Sequence, residues 1–411
     1  MKKTILLLPL LINISSYAHA IPLEVLHWWT APGEHEAQQI LKNALLAQDI
    51  AWQNFAIIGE GGESAIRVLQ MRALSGNPPD AAQIKGPDIG EWAKVGMLEE
   101  IGKVVDTRPW KAIMSQIARD TVTFDGHYMA VPINVHRVNW LWLNKKIFTE
   151  LNLSIPTTWD DFFITADKIR DAGYLPLAHG GTVWQDALLF ESMAISLLGA
   201  DKYKKAFVMH DEKILNSAEM IAVFKKFKRL NSYTSQDLIG KDWFNAAHLI
   251  ATDKAAMQFM GDWAKGMWTA SGKVAMVDYM CVEVPETRNI FSYNIDSFVL
   301  FQKYNYQARN NVQSVFVDTL LSKKFQAEFN ISKGSIPIRN DIDMSQFDAC
   351  SQKSYADFNS YQLVPSFTQN LATTSHLQNI IAQILSNYFN DPQADATNTV
   401  KRLSLAIRAV K

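Results

Sequence analysis

Tryptophans and polar groups recur together along this chain. Trp28-Trp29 is followed by Glu34, and Gly261-Asp262-Trp263 sets another ring beside another acid. The chain holds 12 Trp, 12 Tyr and 21 Phe. Such rings ordinarily fill cores. A ring next to acid and amide groups also suits a pyranose: it covers the apolar C–H face while the polar groups answer the hydroxyl edge. Other chemistries lack their patterns. Gly59-Glu60-Gly61-Gly62 does not complete a phosphate-loop or dinucleotide fingerprint and reads as a turn. His35-Glu36 is followed by Gln39 where a zinc-protease helix requires a second His. Asn340, Asp341 and Asp343 lack the terminal Glu of a calcium loop, and no GxSxG elbow occurs. A glycosidase needs only two carboxylates, which a sequence does not place in space, so that class stays open as the alternative.

The elements that must position these residues alternate in type. Leu23–Trp29 reads as a strand, broken by Thr30-Ala31-Pro32-Gly33, with a helix from Glu34 to about Ala47. Residues 52–58 read as a second strand, Glu63–Ser75 as a helix, and Gly76-Asn77-Pro78-Pro79-Asp80 as a firm turn before a short strand at 81–84. Another helix is predicted over 89–95. This alternation points to a mainly parallel α/β layer. Residues 128–132 and 138–143 bracket a crossing between domains. Helical spacing then dominates 159–172, 184–198, 218–230 and 243–252. Short strands are predicted at 256–260 and 298–301, and two final helices split near Asp391-Pro392.

The ends and the charge narrow the setting. Lys2-Lys3, the apolar stretch Ile5–Ile14 and Ala18-His19-Ala20 match a cleavable export signal. The stretch is well short of the ~20 residues a spanning helix needs. Removing 20 of the 411 residues leaves 391 starting at Ile21, a length that suggests two domains. The formal net charge is −1, and −3 without Lys2 and Lys3, which argues against a partner held through nucleic-acid phosphates. Cys281 and Cys350 are the two cysteines. In an oxidising compartment they are expected to pair; two buried free thiols are the alternative.

Several local patterns resemble one family. Val25-Leu26-His27-Trp28-Trp29 with Glu34, the turn at 74–80, Gln83-Ile84-Lys85-Gly86, Met260-Gly261-Asp262-Trp263, Asp296-Ser297-Phe298, Ser332-Lys333-Gly334-Ser335-Ile336-Pro337 and the cysteine pair carry the resemblance. They resemble the extracellular solute-binding proteins (family 1) of ABC sugar importers, nearest the glucose/mannose-binding branch. The resemblance implies a type II periplasmic binding protein fold. Two α/β lobes would be joined by a multi-strand hinge, with the ligand cleft between them. One lobe is expected from 21–132 with about 298–335, the other from about 133–297 with 336–411. It also implies a monomer in the periplasm that binds a glucose-like neutral monosaccharide and docks on a permease, with no cofactor and no metal. An oligosaccharide, a polyol or a sugar phosphate is the alternative ligand.

The ligand contacts implied are Trp28, Trp29, Glu34, Gln83, Lys85, Asn134, Trp184, Trp263, Asp296, Lys333 and His376. Each has a plainer reading. Neighbouring strand residues face opposite ways, so one of Trp28 and Trp29 is expected in the core. Glu34 in a first helical turn is also what the helix dipole favours. Trp184 and Trp263 rival as core residues, and His376 near a helix start rivals as a cap. Gln83 and Lys85 are expected to share a face. Lys85 stands where relatives often carry His, and His27 precedes the double Trp where relatives often have a small polar residue; both leave the choice of sugar open.

Overall fold

The computed structural model describes residues 21–57, 62–302 and 306–410. The export signal, its cleavage site and the turn residues Gly59 to Gly61 lie outside the described residues.

Among the described residues, fourteen strands run in chain order. They are β1 Ile21–His27, β2 Ile50–Ala56, β3 Ala81–Gln83, β4 Thr123–Phe124, β5 His127–Tyr128, β6 Val131–Pro132, β7 His136–Arg137, β8 Trp140–Asn144, β9 Leu175–Leu177, β10 Ala255–Phe259, β11 Tyr279–Glu283, β12 Ile290–Asn294, β13 Ser297–Leu300 and β14 Gln362–Pro365. The first sheet has the order β2-β1-β3-β13-β6. Strands β2 and β3 run parallel to β1, and β13 returns antiparallel to β3 with Phe298 opposite Gln83. The second sheet has the order β11-β8-β10-β9. Helices pack on both, as strand–helix alternation requires.

Two apolar cores divide the molecule. One gathers Leu23, Val25, Leu26, Leu69, Ile89, Trp92, Phe298, Phe316 and Phe329. The other gathers Trp140, Trp142, Trp159, Phe162, Phe190, Phe224, Trp268, Ile381 and Leu385. Ile133 and Val135 pack in the first core, as do Phe291, Tyr293, Ile336, Ile338 and Phe358. The sequence-based boundaries had set all of these in the other lobe. The reason is the way the chain crosses. Ser297 pairs with Pro132, Asn294 with His136, and Val135 bridges Ile336, so three passages run side by side and share one apolar floor. This multi-strand hinge ends in a third sheet, β14-β12-β7. Arg137 anchors it: the fully buried guanidinium lies 4.0 Å from the Trp140 ring centroid and Nη1 donates to Asp357.

The elements named from the sequence lie close to their expected bounds, while β9, β11, β12, β14 and the helices Trp263–Ala270, Tyr306–Leu321, Lys323–Lys333 and Ala349–Ser360 come in addition. The helix expected over 184–198 runs Val183–Phe207, because two helices abut across Gly199 at φ 69°. The hairpin β4–β5 was not anticipated; Asp125 and Gly126 take φ 48° and 80°, as a tight primed turn requires. Cys281 on β11 and Cys350 in the helix Ala349–Ser360 form a disulfide, S–S 2.04 Å.

Candidate ligand-binding cleft

A cleft of about 680 Å³, open mouth included, lies between the lobes. Its wall includes Trp28, Trp29, Glu34, Lys85, Trp184, Trp263, Asp296 and Lys333 from the sequence-based set. Thr30, Ala31, His136, Asp242, Trp243, Phe244, Asn294 and Gln369 complete it.

The first lobe builds one wall where β1 ends. Trp29 is 2% exposed and packs 5.5 Å from Phe298 and 5.3 Å from Phe329. Trp28, half-buried, is the freer ring, with Lys85 Nζ 5.3 Å from its centroid. His27 beneath them is fully buried; its Nδ1 accepts the Trp29 N–H at 3.1 Å. The helix Pro32–Leu46 then begins with Pro at its first position. Glu34 serves twice in its first turn. Oε2 accepts the N–H groups of Thr30 (3.1 Å) and Ala31 (3.2 Å), and Oε1 receives Lys333 Nζ at 2.6 Å.

The hinge supplies the polar floor. Asp296 sits between β12 and β13, buried. Its Oδ1 accepts from Asn294 at 3.2 Å, and Oδ2 lies 3.3 Å from both Asn134 Nδ2 and His136 Nε2. His136 Nδ1 meets Asp262, whose other oxygen accepts the Arg137 N–H at 2.9 Å. Burial opposes charge on Asp296, yet the His136 hydrogen bond and the charges of His136, Lys85 and Lys333 outweigh it. The carboxyl is held well below the usual range and stays ionised. Burial likewise opposes charge on His136, but Asp262 and Asp296 raise its affinity for a proton. Burial pushes the Lys85 ammonium down. The second lobe closes the cleft with Trp263, edge-on to His136 at 5.4 Å, and Trp184, 6.3 Å from Trp263.

Three sequence-based candidates stand off the wall. Gln83 is fully buried inside the first sheet. Strand β3 ends at Gln83 and Gly86 turns the chain at φ 52°, so period-two alternation does not carry on to Lys85. Asn134 lies behind the wall, holding Asp296 through Nδ2 and accepting the Asp296 N–H at 3.1 Å. His376 is exposed, because Leu377 and Gln378 are the buried positions of that helical turn. Sequence reading missed His136, Asn294 and Gln369. Asn294 and His136 each lie two residues from a chosen position, Asp296 and Asn134, a spacing that could have flagged them. Gln369 carried no signal of its own. Among the described residues, no cluster of three or more His, Cys, Asp or Glu could hold a metal ion.

This arrangement offers charged groups and aromatic rings to a small polar ligand with an apolar face. Comparison with known proteins agrees on the fold. Residues 54–324 match the family model for bacterial extracellular solute-binding proteins. A probable sugar-binding periplasmic protein of Brucella suis biovar 1 is 35% identical over 393 residues, 95% of this chain and 92% of the relative. A protein of the same description from Rhizobium meliloti is also 35% identical, over 95% and 94%. A solved solute receptor described as preferring β-D-galactopyranose superposes at TM-score 0.79 with 17% identity, covering 95% of this chain and 99% of that one. A raffinose complex superposes at 0.76 with 16% identity, over 95% and 100%. On this match and these relatives, the chain belongs to the bacterial extracellular solute-binding proteins.

Proposed function

We propose that the protein is a periplasmic receptor that binds a neutral monosaccharide of the glucose type and delivers it to the permease of an ABC importer. The observation that carries this reading is the cleft itself. Trp28, Trp184 and Trp263 offer ring faces, while Lys85, Asp296 and the Glu34–Lys333 pair offer charged donors and acceptors for hydroxyls. The names of the 35%-identical relatives support the sugar. Among the wall residues three acids, Glu34, Asp242 and Asp296, stand against Lys85 and Lys333, without an arginine. An anionic sugar phosphate would want an arginine fork. The reading is binding rather than hydrolysis. Asp296, held ionised, does not fit the general acid of a glycosidase, and the 35%-identical relatives are described as sugar-binding proteins.

Binding would draw the lobes together and shift a two-state hinge equilibrium. A longer saccharide is the second reading, favoured by one observation. A further hollow lined by Pro32, His248, Met267 and Ala270 shares Phe244 with the cleft. Mass spectrometry of ligand co-purified with the mature protein, followed by titration of the identified compound, tests the proposal. A bound hexose supports it, a disaccharide or larger sugar moves the assignment to the second reading, and a ligand that is not a carbohydrate overturns it.

A further inference from the structure

Where β14 leaves the hinge sheet, the two lobes meet at a second place. On the first lobe, Lys85, Gly86 and Asp88 form the approach and first turn of the helix Pro87–Lys94, whose Ile89 and Trp92 pack in that lobe's core. On the second lobe, residues 366–375 lead into the helix Ser375–Asn390, whose Leu377 and Ile381 pack in the other core. This segment is fixed to its own lobe. The buried Glu191 carboxylate accepts from Ser366 (2.7 Å), Thr368 (2.5 Å) and the Phe367 N–H (2.9 Å), and the Phe367 ring stacks on Phe207 at 4.7 Å.

Leu371 of this segment packs in the first lobe's core, and three further contacts cross between the lobes. Lys85 Nζ donates to Gln369 Oε1 at 3.3 Å. Gly86 lies so close to Asn370 that a Cβ there would stand 2.0 Å from the Asn370 carbonyl oxygen. Asp88 Oδ1 accepts the Ser375 N–H at 3.0 Å. The last contact has an unusual feature. The residue before the helix, Thr374, is extended and of a capping type, yet its side chain makes no capping hydrogen bond. A free helix start leaves N–H groups without partners, and a residue like Thr374 ordinarily supplies one. Here Asp88 of the opposite lobe accepts the N–H of the first helical residue, with its negative charge at the positive end of the helix dipole. Asp88 is buried, which raises its proton affinity, and the Ser375 hydrogen bond works against that rise.

We propose that Asp88 is a positioning residue for ligand binding: it caps the helix Ser375–Asn390 across the cleft only when the lobes are closed, and so latches the closed form around the ligand held at Lys85. The inference rests on the sugar-receptor reading above. The latch adjoins the cleft through Lys85, which lines the wall and shares this turn with Asp88.

The test uses the full mature protein, titrated with a panel of free hexoses and pentoses, with calorimetry and small-angle X-ray scattering as readouts. Asp88→Ala removes the cap from one lobe. Ser375→Pro removes the donated N–H from the other; Pro is tolerated at a first helical position, and Thr374 at φ −65° and ψ 155° already has the conformation that precedes Pro. Each variant is expected to bind about 10- to 100-fold more weakly, the worth of one hydrogen bond to a charged group. Each should keep the native melting temperature without sugar and show less compaction at a given sugar concentration. The double variant should bind no more weakly than either single one, because both break the same contact. Affinities within twofold of native in both single variants, or fully additive losses, overturn the latch. If the native protein itself gives neither heat nor compaction with any sugar, the receptor reading fails instead.

Discussion

Removing the Glu34 carboxylate tests the most consequential charge pair in the cleft. Lys333 Nζ lies 2.6 Å from Glu34 Oε1, with side-chain exposures of 3% and 13%. Glu34→Ala leaves that ammonium buried without its partner. Breaking a fully buried pair costs about 3–5 kcal/mol, and the partial exposure of Glu34 brings this to about 2–3 kcal/mol. Losing the bonds to the Thr30 and Ala31 N–H groups adds about 1 kcal/mol. The sum is about 3–4 kcal/mol. For roughly 390 residues the unfolding entropy is about 0.8 kcal/mol/K, so the melting temperature should fall by about 4–5 °C if the lobes unfold together. It should fall about twice as far if the first lobe unfolds alone. Lys333→Met should cost less, about 1–2 kcal/mol, since Glu34 keeps its backbone donors and some solvent. Glu34→Ala with Lys333→Met should lose less than the two single changes summed, by about 1–2 kcal/mol. Differential scanning calorimetry of the four proteins reads all of this. A Glu34→Ala protein melting within about 1 °C of native, or strictly additive losses, refutes the reasoning.

Three other outcomes are expected. His27 is buried and its affinity for a proton is lowered, so the unfolded chain binds that proton more tightly than the folded one. Its contribution to stability is therefore present above 6.5 and is lost as pH falls through that value toward the lower folded one. Melting curves of native and His27→Gln proteins between about pH 7 and pH 5 should converge on acidification; parallel curves contradict this. Gly266→Ala would set a Cβ 2.7 Å from the carbonyl oxygens of Ser332 and Lys333, displacing Lys333 from the cleft. Overpacking of that kind costs about 1–3 kcal/mol, and calorimetry should show sugar affinity falling with it. The disulfide closes a loop of sequence separation 69, and Cys281→Ser with Cys350→Ser should cost roughly 4 kcal/mol in reversible denaturation.

Much of this architecture was legible in the residues. The apolar run of β1, the diproline turn at 78–79 and helical spacing over 218–230 mark elements that the structure reproduces closely. These signals are local, and local propensity decides them. The wall was legible where a residue type stood out at an element end, as with Trp28, Glu34 and Trp263. It failed where position depends on chain crossing. Asp296 owes its setting to Asn134, His136 and Asn294, which two separate passages bring together. Gln369 reaches Lys85 only because Glu191 fixes its segment on the second lobe. Gln83 shows the opposite error: alternation was extended past a strand that ends there. The core boundaries shifted for a similar reason, since hinge passages pack by contact and not by order along the chain.

The central claim is that the cleft between the lobes receives a sugar, and calorimetric titration of the mature protein with a panel of hexoses and pentoses tests it most directly. The account predicts saturable heat with at least one neutral monosaccharide of the glucose type, a melting temperature that rises with its concentration, and loss of both in Asp296→Asn. No heat from any sugar in the panel, or unchanged binding by Asp296→Asn, would contradict it.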